Sequence, residues 1–173
     1  NKFRKLKYNL IKAQSLQKSQ LLTFGGAYSN HIYAVAAAAK TFGFESVGII
    51  RGDELTVDSS PTLKFASEAG MKMHFVCRSD YRDKELLKSK FEHKNSYFIP
   101  EGGSNLEALE GCSEMVDEVL KEIKPTHFCL AAGTGGTTAG VLSNVRDSGQ
   151  TYCFPVLKNG GFIKDEIETL LDK

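Results

Sequence analysis

The sequence predicts an α/β protein built on parallel sheet. Short apolar runs alternate with amphipathic or charged stretches along all 173 residues, which is the pattern of buried strands separated by covering helices. The loops that follow three of the apolar runs, 25–31, 100–105 and 133–137, are rich in glycine and small polar residues. In parallel folds ligands sit outside the carboxyl ends of strands, so the chemistry of these three loops is expected to converge.

The elements follow in order. Phe3, Leu6, Leu10 and Ala13 lie at helical spacing and open the chain as an amphipathic helix. Gln20 to Phe24 reads as a buried strand, Gly25 to His31 as a polar loop, and Ile32 to Phe42 as an alanine-rich helix closed by Gly43. Ser46–Ile50 is the next strand. Pro61–Ala69 is a helix, with proline near its start and Gly70 past its end. Met73–Cys77 is a strand, Arg78–Asp83 a polar loop, and a charged helix runs to about Phe91; the charge-rich 78–94 segment reads as a solvated face. Tyr97–Ile99 is a short strand leading into the turn-rich Pro100–Asn105, where Glu101 reads as a turn residue or as a lining of an active-site mouth. Leu106–Ile123 is a long amphipathic helix. Strand 126–132, the glycine loop, a helix to about Val145, strand Thr151–Val156 and helix Ile163–Leu171 complete the order.

Composition narrows the function. Lys and Arg number 22 and Asp and Glu 21, a net charge of +1, which argues for neither a nucleic-acid nor a membrane partner. No apolar run has the length of a membrane span, and the first residues precede an amphipathic stretch, so no signal peptide is expected. The four cysteines form no C-x-x-C pair. They read as free thiols in a reducing cytoplasm, with Cys77, Cys129 and Cys153 in the core. The four histidines show no ligand spacing, and no metal is expected.

The glycine loop at 133–137 is the most informative stretch. An apolar run enters Gly133-Thr134-Gly135-Gly136-Thr137, and a small-residue helix follows. Glycines let the backbone approach an anion, and the helix N-terminus adds unpaired N–H donors and partial positive charge. Two common readings fail on spacing. A dinucleotide fingerprint starting at Gly133 needs glycine at 138, where Thr138 stands. A P-loop needs lysine after Gly140, where Val141 stands. A phosphate site and a plain strand-to-helix turn both remain. Gly25–His31 also opens a helix, suiting a carboxylate or a simple N-cap. Ser29 and His31 are two apart on that helix and make a poor nucleophile–base pair.

Four ordered blocks together carry a family resemblance: Asn1-Lys2-Phe3-Arg4-Lys5-Leu6, Gly25-Gly26-Ala27-Tyr28-Ser29-Asn30-His31, Pro100-Glu101-Gly102-Gly103-Ser104-Asn105 and Gly133-Thr134-Gly135-Gly136-Thr137. The sequence resembles, along nearly its whole length, the pyridoxal-phosphate enzymes that include 1-aminocyclopropane-1-carboxylate deaminase and D-cysteine desulfhydrase, of the tryptophan synthase β-like architecture (fold type II). The resemblance implies three-layer parallel-sheet domains, incomplete at both ends. A smaller domain would span 5–105. The larger, cofactor-binding domain would take 106–173 with the 1–4 end, and the cofactor would lie in the cleft.

The resemblance also implies roles. Lys2 matches the lysine that forms the Schiff base with pyridoxal 5'-phosphate and shuttles protons, with Arg4 and Lys5 as nearby positive charge. Lys5, one turn from Lys2, would face the phosphate. Asn30 matches the asparagine that bonds the cofactor's phenolic oxygen. Ser29 matches a serine that contacts substrate and relays protons. The amides of Ser29, Asn30 and His31 would hold the substrate carboxylate, with Tyr28 beside them, and Gly133, Thr134, Gly135, Gly136 and Thr137 would form the phosphate cup. Tyr28 stands where the deaminases have glutamine, and His31 follows Asn30 where some have glutamine too; this departure of block 26–31 favours desulfhydrase-like β-elimination over cyclopropane ring opening. The family's pyridine-nitrogen partner and a tyrosine near the substrate belong to a C-terminal part outside this sequence. A homodimer is the family's habit. The alternative of another class is a non-catalytic phosphometabolite-binding domain.

Overall fold

A computed structural model describes residues 1–145 and 148–172; position 173, the end of the expected larger domain, lies outside the described residues. The elements run α1 (Lys2–Ser15), β1 (Gln20–Gly25), α2 (Asn30–Phe42), β2 (Glu45–Arg51), α3 (Pro61–Glu68), β3 (Lys72–Val76), α4 (Lys84–Phe91), β4 (Ser96–Ile99), α5 (Leu106–Glu122), β5 (His127–Ala132), α6 (Gly136–Val145), β6 (Gln150–Pro155) and α7 (Phe162–Leu171). Every strand pairing is parallel. The chain divides into two compact units: residues 1, 3–9 and 102–173, and residues 2 and 10–101.

The unit of residues 10–101 carries a four-stranded sheet in the order β3-β2-β1-β4. Side chains alternate across a strand, so Leu22 and Phe24 of β1 pack on one face with Val47, Ile49, Tyr81 and Leu87. Phe24 meets Tyr81 and Phe98 edge to face, with centroids 5.8 and 5.7 Å apart, and its burial contributes about 2–3 kcal/mol. Thr23 points to the other face, which α2 covers. Helix α2 is capped by Ser29, whose hydroxyl accepts from the Ile32 amide at 3.2 Å, and ends on Gly43 at φ 75°. Ser60 caps α3 in the same way.

The other unit has the pair β5-β6, with α5 and α6 packed through small residues. A Cβ at Gly140 would lie 2.5 Å from the Cys112 Cβ. Leu109, Ala132, Ala139, Ile163, Ile167 and Leu170 form its main cluster. The first half of α1 packs on α5 at Gly111, where a Cβ would fall 2.0 Å from the Arg4 carbonyl oxygen. Arg4 forks onto Glu118 (Nη1–Oε1 2.9 Å, Nη2–Oε2 2.6 Å), and Lys7 donates to Glu114 at 2.6 Å.

Several expectations are corrected. Phe3 is 73% exposed: the buried stripe of α1 runs through Lys5, Leu6, Asn9, Leu10 and Ala13, and Phe3 falls at its rim in the first turn. Cys129 is exposed, Cys77 and Cys153 are half-buried, and Cys112 alone is buried. The β5-β6 pair is covered on one face only among the described residues, leaving His127, Cys129, Tyr152 and Phe154 on the open face. Apolar strand composition does not reveal which layers are present to cover it. The 78–94 segment is not all solvated face, since Tyr81 and Leu87 enter the core.

Gly111→Ala drives a methyl into a helix carbonyl that cannot move without displacing α1. It is expected to cost about 3 kcal/mol, near the upper end for overpacking, read as a lower urea midpoint at an unchanged slope. A cost under about 0.5 kcal/mol would contradict the close α1–α5 approach.

Candidate functional site

The first unit holds a cradle at the start of α6. β5 ends at Ala132, and the chain turns through Gly133, Thr134 and Gly135 before α6 begins at Gly136. Gly135 adopts φ 72°, a left-handed conformation that glycine takes without strain. Gly136 has no room for a side chain: a Cβ there would lie 2.8 Å from Ser104 Oγ and 3.0 Å from Lys5 Nζ. Ser104 donates to Thr134 Oγ1 at 2.8 Å, tying the 100–105 loop to the glycine loop. Thr137 accepts from the Asn1 amide at 3.0 Å.

Lys5 supplies the charge. It is 2% exposed, and its ammonium donates to the Gly102 carbonyl at 3.0 Å. Gly102 and Gly103 take φ 71° and 66° as the loop turns there. A cation beside the positive end of a helix is unfavourable by itself. A phosphate dianion at that end makes both contacts favourable, gathering α6 amides, the ammonium and the threonine and serine hydroxyls. The cradle therefore fits a phosphate-bearing group. Arg4 is engaged by Glu118, whereas the Lys5 ammonium lies beside position 136. Lys2 itself is half-buried in the first turn of α1.

The second unit carries a cavity of about 460 Å³ at the carboxyl edge of its sheet, lined by Gly26–Ser29, Arg51, Leu55, Arg78 and Glu101. The loop backbone and the start of α2 form one wall. Tyr28 is 76% exposed at the rim, and Asn30 is exposed on the first turn of α2. The His31 ring turns inward, with Nε2 2.8 Å from Thr23 Oγ1 while Thr23 donates to the Ile99 carbonyl. The His31 imidazole, expected to touch substrate, therefore faces the interior and not the cavity. Glu101 accepts from the Tyr81 hydroxyl at 3.0 Å and pairs with Lys84. Burial first, then the neighbouring Glu101 charge and hydrogen bond, push the Tyr81 phenol well above its ordinary value.

Sequence reasoning missed Arg51, Arg78, Tyr81, Lys84 and Ser104. The rule that ligands gather at strand carboxyl ends points to Arg51 and Arg78, which end or follow β2 and β3. Nothing local in the sequence marks Tyr81 or Lys84.

A parallel α/β chain whose glycine loop and buried lysine fit a phosphate-bearing group suits a protein that holds a phosphorylated cofactor. The chain belongs to the pyridoxal-phosphate dependent enzyme family, whose model matches residues 1–157. It is 28% identical over 196 residues to the bifunctional D-cysteine desulfhydrase/1-aminocyclopropane-1-carboxylate deaminase, mitochondrial, of Arabidopsis thaliana, covering 99% of this chain and 48% of that protein. It is 30% identical over 149 residues to a putative 1-aminocyclopropane-1-carboxylate deaminase of Pyrococcus horikoshii, covering 82% of this chain and 45% of that one. The solved ACC deaminase homologue superposes with a TM-score of 0.81 at 26% identity, over 99% of this chain and 55% of that one. The chain spans about half the length of the curated relatives it matches. Among the described residues no helix is long and apolar enough to cross a membrane.

Two outcomes follow from this geometry. Lys5→Met is expected to weaken pyridoxal phosphate binding about 10- to 100-fold, the worth of a charge-assisted hydrogen bond, while the cofactor-free protein melts no lower than wild type; equal affinity in a dye-free calorimetric titration would contradict the cradle. Because the folded Tyr81 phenol ionises above its unfolded value, the stability it lends is present below about pH 10 and lost as pH rises beyond that. Tyr81→Phe should flatten the alkaline limb of the stability–pH curve, and an unchanged limb would place the phenol in solvent.

Proposed function

We propose that the complete protein is a pyridoxal-phosphate-dependent lyase or deaminase of a small amino acid, with D-cysteine desulfhydrase-like β-elimination to a 2-oxo acid, ammonia and sulfide as the favoured reaction. The observation that carries the reading is the cradle at Gly136, where a buried ammonium meets a helix N-terminus inside a chain of this family. In this reading residues 5–105 form the smaller domain, and 106–173 with the 1–4 end belong to the cofactor-binding one. In this reading the protein acts on a small amino acid in the cytoplasm and needs neither nucleic acid nor membrane; a homodimer is the family's usual assembly.

Lys5, Gly133, Thr134, Gly135, Gly136 and Thr137 would hold the phosphate of the cofactor, and Asn30 its phenolic oxygen. When bound, the cofactor supplies an electron sink for a carbanion. Lys2 Nζ anchors the cofactor and then serves as the base that takes the substrate Cα proton. The amides at the start of α2 orient the substrate carboxylate. The Ser29 oxygen accepts from Ile32 in the cap, which leaves its O–H to donate to substrate. Tyr28 at the cavity rim favours desulfhydrase over deaminase specificity.

The complete protein, purified with cofactor, is expected to be yellow. Borohydride reduction followed by peptide mapping is expected to leave the cofactor on Lys2. A colourless protein that takes up no cofactor would sink the reading. Sulfide release from D-cysteine, measured against 2-oxobutyrate release from 1-aminocyclopropane-1-carboxylate, separates the two specificities; faster release of 2-oxobutyrate would make the protein a deaminase.

A further inference from the structure

The carboxyl edge of the four-stranded sheet holds more charge than loop 25–31 accounts for. In the order β3-β2-β1-β4, successive strand ends deliver Arg78, Arg51, the loop Gly26–Ser29 and Glu101 to one cavity. These charges are not equivalent. Arg78 pairs with Glu54 at 2.8 Å. Glu101 is matched by Lys84 and by the Tyr81 hydroxyl. Arg51 has no ion pair among the described residues; its guanidinium carbon lies 5.9 Å from the centroid of the Tyr81 ring. That ring is packed in the core against Phe24 and forms a rigid platform for the cation. Arg51 is therefore the one lining guanidinium without an ion pair among the described residues, beside a helix N-terminus that already favours an anion.

Two anion sites on one small cavity suit a ligand with two negative groups. We infer that Arg51 is a specificity residue that binds a negatively charged β-substituent of the amino-acid substrate, while the α2 amides hold its α-carboxylate. The inference rests on the function proposed above and names the substrate class for that same site: amino acids whose β-substituent is anionic, or leaves as an anion. Tyr81 is then a positioning residue for Arg51. Leu55 and Tyr28 close the cavity without charge, so a neutral side chain gains nothing from the guanidinium.

The test uses the complete protein and two probes without a β leaving group, aspartate, which carries a carboxylate on Cβ, and alanine, which carries none. Both are titrated by calorimetry into wild type, Arg51→Gln and Arg51→Lys, each enantiomer separately. Wild type should bind aspartate about tenfold or more tighter than alanine, as one charge-assisted contact gives. Arg51→Gln should erase that preference and Arg51→Lys should keep part of it. A wild type without preference, or a preference that survives in Arg51→Gln, overturns the inference. Unchanged melting temperatures in both variants show that the exposed Arg51 is not needed for folding; if Arg51→Gln melts early, the Arg51→Lys comparison decides. The outcomes separate from the parent reading. A yellow protein with no aspartate preference removes the role of Arg51 alone, whereas a colourless protein that still prefers aspartate removes the cofactor reading and leaves Arg51 standing.

Discussion

Lys5 sets the constraint that most of the first unit answers. An ammonium that is 2% exposed has given up water, and burial of a charge costs several kcal/mol unless strong partners replace the solvent. The Gly102 carbonyl supplies one, and it does so from a loop whose two glycines take left-handed φ. Across from the ammonium, position 136 has no side chain because the space belongs to Lys5 Nζ and Ser104 Oγ. The start of α6 cannot neutralise a cation, since its own end is positive. An anion can satisfy both, and the hydroxyls of Ser104, Thr134 and Thr137 are the neutral donors it needs around the remaining oxygens.

The same constraint explains the first unit's tight packing. Lys5 is carried on α1, so α1 must be held firmly. Gly111 removes the side chain that would keep α1 away from α5. The Arg4–Glu118 and Lys7–Glu114 pairs lie at the solvent-screened rim of that contact and add little to it. Asn9 and Asn105 exchange amide hydrogen bonds at 3.1 and 2.7 Å. Asn105 also caps α5 through the Ala108 amide. The polar residues of the buried stripe thus hold the helix in register, while Leu6 and Leu10 bury its apolar surface.

Most elements were legible in the sequence because their signals are local. Gly43 ends α2 at φ 75°, Ser29 and Ser60 cap α2 and α3 through their hydroxyls, and Gly135 turns the chain toward α6 at φ 72°. Read alone, the glycine loop left a phosphate site and a plain strand-to-helix turn open, because Lys5 and Ser104, which flank it in the fold, lie far away in the chain. Lys5 and Asn9 lie on the buried face of α1 and break its apolar pattern, a break that periodicity alone treats as noise. His31 illustrates the reverse case. Its place in the loop suggests a ligand contact, yet its ring meets Thr23 in the interior, because strand β1 alternates and Thr23 faces α2. Cys129 misled for a related reason: an apolar strand does not state which of its faces is covered. Arg51, Arg78 and Glu101 come together only when the strand order is known, since two crossovers separate them.

The most direct measurement follows the backbone amides. Titration of the complete, isotope-labelled protein with inorganic phosphate and then with pyridoxal phosphate, read by amide chemical shifts, reports where the dianion sits. The account predicts that Gly135, Gly136, Thr137 and Thr138 move most with either ligand, that Lys5 moves with them, and that Asn30 responds to pyridoxal phosphate only. Shifts concentrated elsewhere, or a cradle that stays silent while pyridoxal phosphate binds, would contradict it.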